Sequence, residues 1–202
     1  MSEIPNRSGV VILLAHPNER SLNHAIAARA AEAARHAGVE ATLHDLYAEG
    51  FDPVLPKDEM LRKFSFDETV QRHITEIKRT ALLVVVHPDW WGQPPAILKG
   101  WLDRVLRPGV GYDFQGGEFD EKRPVPLLTG LRGLVFTTSD EPAGARPMPI
   151  EHIWRDTVFG FCGIGPGEVT LFPDVRRASR RTRRGWLEQT ARAVRQFALP
   201  SE

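Results

Sequence analysis

The sequence predicts an α/β fold in which a parallel β-sheet is covered by helices on both faces. Short apolar runs recur along the chain, and a segment with apolar residues at helical spacing follows each of them. Residues 10–15 are apolar throughout, as in a strand buried on both faces. Strand and helix alternate five times, the order that parallel strands joined by helical crossovers produce. With 202 residues, the chain fits one domain, 1–202.

After the first strand, the N-terminal part of the chain is predicted to form a helix, a second strand and a second helix. Ser21 is suited to cap a helix, and residues 22–37 carry apolar side chains at helical spacing. Residues 39–43 alternate between apolar and polar side chains and form the second predicted strand. Two prolines make residues 46–57 a connection, and residues 67–80 form the next predicted helix.

The remaining elements complete the alternation. Residues 82–86 contain only leucine and valine, which predicts a third buried strand, and Pro95 suits the first turn of the helix that follows. Glycine and charged residues dominate 109–126, which we predict to be a long loop. The other predicted elements are strands at 133–138 and 168–172 and helices at 95–106, 150–162 and 179–197.

The composition is that of an ordinary globular protein, with 42% hydrophobic and 26% charged residues and a formal net charge of zero. This balance argues against general binding to nucleic acid. No apolar run approaches the roughly 18 residues that a membrane span requires, and the N-terminus lacks the apolar segment of a secretory signal. Cys162 is the sole cysteine, so no internal disulfide can form, and we expect a soluble protein of the cytoplasm.

The predicted functional site lies where the parallel strands end. Ligands of open α/β sheets bind outside the carboxyl ends of the strands, which indicates loops 16–21, 87–94 and 139–149. The first loop leads into a helix N-terminus, where free backbone N–H groups and the helix dipole favour a phosphate. His16, Ser21 and Asn23 could add donors to that site. An ordinary N-cap beside a surface histidine is the alternative interpretation.

The other two loops carry aromatic and hydroxyl side chains. Trp90 and Trp91 are unfavourable if merely exposed at a strand end, so they either pack on a flat aromatic ligand or fill the core or a subunit contact. Thr137, Thr138 and Ser139 could hydrogen-bond the edge of a heteroaromatic ring, although such residues are also common in turns.

Three blocks of sequence resemble the DT-diaphorase-like family of flavodoxin-like NAD(P)H:quinone oxidoreductases. They are His16-Pro17 with Ser21-Leu22-Asn23, Asp45-Leu46-Tyr47 with Phe51-Asp52-Pro53, and Pro88-Asp89-Trp90-Trp91-Gly92 continuing into residues 95–105. The resemblance extends from about Val10 to about Phe197.

The resemblance implies a flavodoxin-like three-layer sandwich with a five-stranded parallel sheet in the order 2-1-3-4-5. It implies FMN or FAD as cofactor and a homodimer with active sites at the subunit interface. The residues implied to hold the flavin phosphates are His16, Ser21, Leu22 and Asn23. Those implied along the isoalloxazine ring are Pro88, Asp89, Trp90, Trp91 and Gly92, with Thr137, Thr138 and Ser139 at its other edge.

The implied activity is two-electron transfer in a ping-pong cycle, in which NAD(P)H delivers hydride to the flavin N5 and a quinone or similar flat acceptor then takes it. Trp90, Trp91 and Phe114 would form apolar walls for that acceptor. This chain departs from the family after Thr138, where relatives have two glycines and then a tyrosine and a histidine implicated in catalysis. His152 does not match their spacing, so no catalytic side chain is predicted.

Several alternatives stay open. Family relatives serve as ancillary subunits of potassium-efflux systems, and flavodoxins carry single electrons, although those proteins are acidic and this chain is neutral. Six arginines within residues 176–184 could attract the 2′-phosphate of NADPH or could be a solvated helix start. Cys162 is interpreted as a packing residue rather than a redox thiol. The seven histidines show no metal-ligand spacing, so no metal site is predicted.

Overall fold

A computed structural model of the chain describes residues 7–62, 64–115, 123–145 and 149–198. The strands are β1 Val10–Leu14, β2 Ala41–Asp45, β3 Leu82–Pro88, β4 Tyr112–Gln115, β5 Arg123–Pro126, β6 Arg132–Thr138 and β7 Gly167–Phe172. The helices are α1 Leu22–His36, α2 Lys57–Arg62, α3 Glu68–Arg79, α4 Ala96–Val105, α5 Pro149–His152, α6 Gly160–Cys162 and α7 Arg180–Ala198, with a π-helix, Ile153–Phe159, between α5 and α6.

Five strands form one parallel sheet in the order β2-β1-β3-β6-β7. Counted along the chain within this sheet, that order is 2-1-3-4-5, which confirms the prediction. The chain moves outward from β1 to β2 and then returns to place β3 on the other side of β1. The loops that follow β1 and β3 therefore lie next to each other at the point where the strand order reverses, which is where such sheets bind ligands.

The β1 strand shows how the sequence builds two helical layers. All five of its residues are buried, and successive side chains of a strand point to opposite faces of the sheet. Val11 and Leu13 pack in a core that includes residues of α3 and α4. Val10, Ile12 and Leu14 pack in a second core with residues of α1 and α7. The predicted three-layer arrangement is confirmed.

Three parts of the chain, one predicted loop, one helix and one strand, differ from the prediction. The predicted loop 109–126 contains an antiparallel hairpin in which β4 pairs with β5. Its strands have only four residues each, too few for an alternating pattern to be recognised. The predicted helix 150–162 is interrupted by the π-helix. The second strand, β2, begins and ends two residues later than predicted, because residues 39 and 40 extend the connection after Gly38 and pairing with β1 begins only at Ala41.

Among the helices in the described ranges, none combines the length and the apolar character needed to cross a bilayer. Cys162 is buried, and this burial raises the pKa of its thiol to about 11. The thiol is therefore protonated near neutral pH, in agreement with a packing role, since the thiolate is the reactive form.

Candidate functional site

The turn from β1 to α1 is held by hydrogen bonds to its own backbone. His16 Nδ1 accepts from the Asn18 N–H at 3.0 Å, and the Asn18 carbonyl accepts from the Ser21 N–H at 3.0 Å. Ser21 is the N-cap of α1, and its hydroxyl accepts from the His24 N–H at 3.2 Å. The backbone N–H groups of Leu22 and Asn23 have no partner among the described residues. Two donors are thus available at the positive end of the helix dipole.

A tight turn presents both tryptophans at the end of β3. Trp90 and Gln93 exchange two N–H···O bonds of 3.0 Å, and φ is 60° at Trp91 and 76° at Gly92. Positive φ at both central residues defines a type I′ turn, which Gly92 adopts easily and Trp91 only with strain. Trp91 is 95% exposed and Trp90 42%. The two indoles therefore do not fill the core of this chain, which leaves a flat ligand or a subunit contact as their partner.

The end of β6 connects these two turns. The Asp89 N–H donates to the Thr138 carbonyl at 2.7 Å, and the Asn23 side-chain amide donates to the Thr138 hydroxyl at 2.9 Å. Asn23 Oδ1 and Thr137 Oγ1 are buried and have no hydrogen-bond partner in the described part of the chain. Buried polar atoms without a partner are rare in native proteins. A bound ligand is one explanation for Asn23 Oδ1, whereas Thr137 is fully buried and the described residues offer no partner for its hydroxyl.

A cavity of about 640 Å³ lies between the three loops. Ten of the twelve residues predicted to hold a flavin line it: His16, Ser21, Leu22, Asn23, Pro88, Asp89, Trp90, Trp91, Thr138 and Ser139. Gly92 and Thr137 do not line it, because Gly92 shapes the turn and Thr137 is fully buried. Phe114, predicted as an apolar wall, lies beside Tyr112 on β4 and does not line this cavity either. The ligand-binding roles of all these residues stay predictions.

The sequence predicted the other residues at this cavity only in part. Of the six arginines that the sequence offered as a possible 2′-phosphate site, Arg176 and Arg183 line the cavity, whereas their contacts and the residues behind Ser21 were not predicted. The Arg176 Nε lies 2.7 Å from the Asp140 carboxylate, and Arg183 donates to the Val175 carbonyl at 2.7 Å. His24 and Asp45 form a pair behind Ser21, with His24 Nε2 2.9 Å from Asp45 Oδ2. The position of Asp45 at the end of β2, beside the end of β1, was a usable signal for this pair.

His87 supports the tryptophan loop from inside the sheet. It is fully buried, and its Nε2 accepts from the Trp154 indole N–H at 2.9 Å. Its Nδ1 lies 2.8 Å from the Pro88 carbonyl and so carries the proton that it donates there. Burial lowers the pKa of His87 to about 4, which keeps the ring neutral at physiological pH.

His44, Glu49 and His73 bring potential metal-ligand atoms within 4.8 Å of one another, although the sequence predicted no metal site. His73 Nδ1 accepts from the Trp101 indole N–H at 2.7 Å. His73 Nε2 therefore carries the ring proton and donates it to Glu49 at 2.9 Å. A protonated nitrogen offers no lone pair to a metal. The hydrogen bonds thus favour a structural cluster that ties β2 to α3, in which His44 also contacts the Glu76 carboxylate.

His152, the histidine considered and rejected as a catalytic residue, lies outside the cavity. Its imidazole is exposed and lies 2.7 Å from Asp156, one turn further along the same helical segment. The structure therefore gives it no access to a ligand between the three loops, in agreement with its unsuitable spacing.

Comparisons with known proteins agree with the geometry. A family described as having a flavodoxin-like fold matches residues 8–197. A Haemophilus influenzae protein named "Uncharacterized NAD(P)H oxidoreductase" is 32% identical over 189 residues, covering 90% of this chain and 91% of that protein. NAD(P)H dehydrogenase (quinone) 1 of Cavia porcellus is 31% identical over 142 residues, but the match covers 59% of this chain and 52% of that protein.

A solved structure, the NAD(P)H:quinone oxidoreductase from Methanothermobacter marburgensis, superposes with a TM-score of 0.78. The superposition covers 97% of this chain and all of that one at 24% identity. At this level of identity the likeness supports the fold.

Proposed function

The chain belongs to the flavodoxin-like NAD(P)H:quinone oxidoreductase family, and from this membership we propose that it is a flavin-dependent enzyme that passes two electrons from NAD(P)H to a quinone or a similar flat acceptor. The observation that carries the proposal is the cavity in which the loops after β1, β3 and β6 meet. Its lining combines a helix N-terminus, two exposed indoles and a row of hydroxyl groups.

The residues present fit a flavin mononucleotide moiety. The free N–H groups of Leu22 and Asn23 at the helix N-terminus would hold the phosphate, with His16 as an additional donor. The buried Asn23 Oδ1 is a free acceptor beside Thr138, and it suits an N–H or O–H donor of a ligand. The helix N-terminus therefore suits a phosphate, while the tryptophans and hydroxyl groups that the other two loops contribute to the cavity suit a polar heteroaromatic ring.

A bound flavin would supply the hydride chemistry, accepting two electrons from NAD(P)H at N5 and passing them to the acceptor in a ping-pong cycle. The residues of the protein itself would position the flavin and its substrates and shield them from water. The type I′ turn holds Trp90 and Trp91 rigidly beside the cavity, where their apolar faces would exclude water and favour flat substrates. His87 fixes the Pro88 carbonyl at the base of this loop. No side chain has to act as a nucleophile, and we assign none.

The direct test is spectroscopic. The purified protein, supplied with FMN or FAD if necessary, is expected to be yellow, to bleach when NADH or NADPH is added without oxygen, and to recover its colour on addition of a quinone. Mass analysis of the released cofactor distinguishes FMN from FAD. A protein that stays colourless after incubation with both flavins would exclude the proposal. A protein that binds flavin but does not turn over quinone in steady state would instead be a regulatory flavin-binding subunit.

We further propose a homodimer, in which a second copy covers part of the exposed apolar surface. Several large apolar side chains are exposed in the isolated chain, among them Met60, Leu61, Phe64, Phe66, Trp91 and Phe161. Isolated exposed apolar residues are common, but larger patches indicate an interaction site. Here Met60 and Phe161 line one groove, and Phe64 contacts Phe66. Sedimentation at several concentrations is expected to give twice the 22.7 kDa chain mass, and a concentration-independent monomer would contradict this.

A further inference from the structure

Ser21, His24 and Asp45 form a continuous chain of hydrogen bonds that ends at the predicted phosphate position. Ser21 Oγ lies 2.9 Å from His24 Nδ1, and His24 Nε2 lies 2.9 Å from Asp45 Oδ2. The second carboxylate oxygen of Asp45 accepts from the backbone N–H groups of Tyr47 and Ala48 at 3.1 and 3.2 Å. Asp45 is thus fixed as an acceptor, and it orients the imidazole toward Ser21.

The donor and acceptor capacities of these three side chains determine where each proton of the hydrogen-bond chain lies. An ionised carboxylate only accepts, so His24 Nε2 must carry a proton. If His24 is neutral, its Nδ1 has a lone pair, and the Ser21 hydroxyl has to donate its single hydrogen to it. Ser21 Oγ also accepts from the His24 N–H, so it then presents only one remaining lone pair to the cavity. A phosphate oxygen placed there would meet another acceptor.

Protonation of His24 reverses the direction of this hydrogen bond. Nδ1–H then donates to Ser21 Oγ, both lone pairs of the hydroxyl are occupied, and its hydrogen is free to donate into the cavity. The imidazolium also places a positive charge within one helical turn of the free N–H groups of Leu22 and Asn23. Both effects favour an anion next to Ser21.

We propose that binding of a flavin phosphate at the β1–α1 turn is coupled to protonation of His24, with Asp45 and His24 acting as positioning residues that make Ser21 a donor. The inference rests on the proposed flavin-binding function and adds a proton-linked step to it. Ser21 lines the cavity, whereas Asp45 does not, so the histidine transmits the effect of the carboxylate to the ligand site.

The charged surroundings permit this protonation. Asp45 on β2 faces His24 directly, and His16 on the β1–α1 turn lies with its ring centre 6.3 Å away. Burial lowers the pKa of His16, so this neighbour is neutral at physiological pH and does not repel an imidazolium. The first turn of α1 has no acidic residue, so Asp45 is the counter-charge of His24 in this contact.

Calorimetric titration of flavin-free protein with FMN tests the coupling. Titrations at about pH 7.5 in non-phosphate buffers of different ionisation enthalpy count the protons taken up on binding. We expect the wild type to take up more protons on binding than His24→Gln, in which the side chain cannot titrate. His36→Gln is the matched control, because it makes the same change at the exposed far end of the same helix. It is expected to behave like the wild type.

Two further arms keep the test independent of one variant. Asp45→Asn removes the counter-charge and is expected to reduce the proton uptake as well. Riboflavin, which lacks the phosphate, is expected to bind the wild type without the additional uptake. As pH rises from about 6 to 9, the affinity of the wild type for FMN should fall about tenfold more than the affinity of His24→Gln does. Tenfold is the contribution expected of one charge-assisted hydrogen bond.

Equal proton uptake by the wild type and His24→Gln, or equal uptake with FMN and riboflavin, would overturn the coupling while leaving the flavin-dependent function intact. If none of the proteins binds FMN or FAD, the proposed function fails and the coupling with it.

Discussion

The neighbours of His87 determine which of its ring nitrogens carries the proton. It accepts from Trp154 and donates to the Pro88 carbonyl, so a second ring proton would break the Trp154 bond and leave a charge in the core. Because the pKa in the folded state is about 4 and lies below the unfolded value of 6.5, the unfolded chain binds the extra proton between these pH values. The stability due to His87 is complete above about pH 6.5 and is lost as the pH falls toward 4.

We therefore expect the free energy of unfolding to fall by up to about 3 kcal/mol between pH 6.5 and 4 through this one group. Urea unfolding of the wild type and of His87→Gln across this range measures the effect. The variant is expected to be less stable at neutral pH but to show a shallower pH dependence. His36→Gln, an exposed control, should keep the slope of the wild type. Identical slopes for His87→Gln and the wild type would refute the assignment.

Trp91 combines strain with exposure. A non-glycine residue in the left-handed region lowers the free energy of unfolding by about 1–2 kcal/mol. Trp91 is 95% exposed and has little packing to offset this cost. Residues held this way often serve function rather than stability.

We expect Trp91→Gly to raise the free energy of unfolding by up to about 1 kcal/mol, because glycine relieves the strain but adds unfolded-state entropy. The same variant should show a higher KM for a flat quinone, since an apolar wall of the cavity is lost. Phe66→Gly replaces another highly exposed aromatic residue, one without positive φ, and should give no gain in stability. A Trp91→Gly protein less stable than the wild type would contradict the strain argument. Chemical unfolding and steady-state kinetics supply the two readouts.

At the scale of elements, two helical glycines have opposite roles. A Cβ on Gly100 in α4 would lie 2.2 Å from the Pro53 carbonyl oxygen and 2.3 Å from the Pro53 Cβ, whereas a Cβ on Gly185 in α7 would meet nothing within 4 Å. Gly100 therefore allows the connection before α2 to lie directly against α4.

We expect Gly100→Ala to destabilise the fold by about 1–3 kcal/mol through overpacking, although alanine is the better helix former. Gly185→Ala should stabilise it by about 0.5–1 kcal/mol, since only the backbone entropy changes. Thermal unfolding of both variants measures the pair. An equal gain in both would mean that the contact with Pro53 does not constrain α4.

The long, buried elements were predictable from the sequence, and the short ones were not. β3 and β6 lie inside the sheet with helices on both faces, so each contains an uninterrupted apolar run, residues 82–86 in β3 and 134–136 in β6, that the sequence shows clearly. β4 and β5 pair only with each other, and their four-residue patterns resemble an ordinary loop. The π-helix between α5 and α6 was not predictable, because the spacing of its apolar residues is close to that of an α-helix.

At the scale of the whole molecule, the sheet order accounts for how much of the candidate site was predictable. Once the strand order reverses at β1, the ends of β1 and β3 must be neighbours, so loops 70 residues apart in sequence form one cavity. Contacts that depend on side-chain direction were only partly predictable: the place of Asp45 at the end of β2, beside the end of β1, could be read from the sequence, but not which side chain would meet it. The His24–Asp45 pair and the approach of Arg183 to the cavity depend on the rotation of α1 and α7 about their axes, which the spacing of apolar residues defines only coarsely.

The molecule is neutral overall, yet its arginines are distributed very unevenly. Six of them lie between residues 176 and 184, at the loop before α7 and in its first turns, where the helix dipole disfavours positive charge. Only Arg176 and Arg183 of this group line the cavity. Both of these side chains are exposed, so the solvated-surface interpretation covers them as well, but their place on the cavity wall also puts them within reach of an anionic substrate group.

The 2′-phosphate distinguishes NADPH from NADH, so these two arginines predict a preference for NADPH. We expect the double variant Arg176→Gln/Arg183→Gln to raise the KM for NADPH roughly tenfold, the value of one charge-assisted hydrogen bond, and to change the KM for NADH much less. Arg180→Gln/Arg181→Gln removes the same charge from exposed positions that do not line the cavity and controls for long-range attraction. That attraction should also fade with added salt, while direct contacts persist. Steady-state kinetics with both nucleotides measures these KM values. Equal changes in KM for NADPH and NADH in Arg176→Gln/Arg183→Gln would show that the arginines do not recognise the 2′-phosphate. Equal effects of the two double variants on the KM for NADPH would show the same.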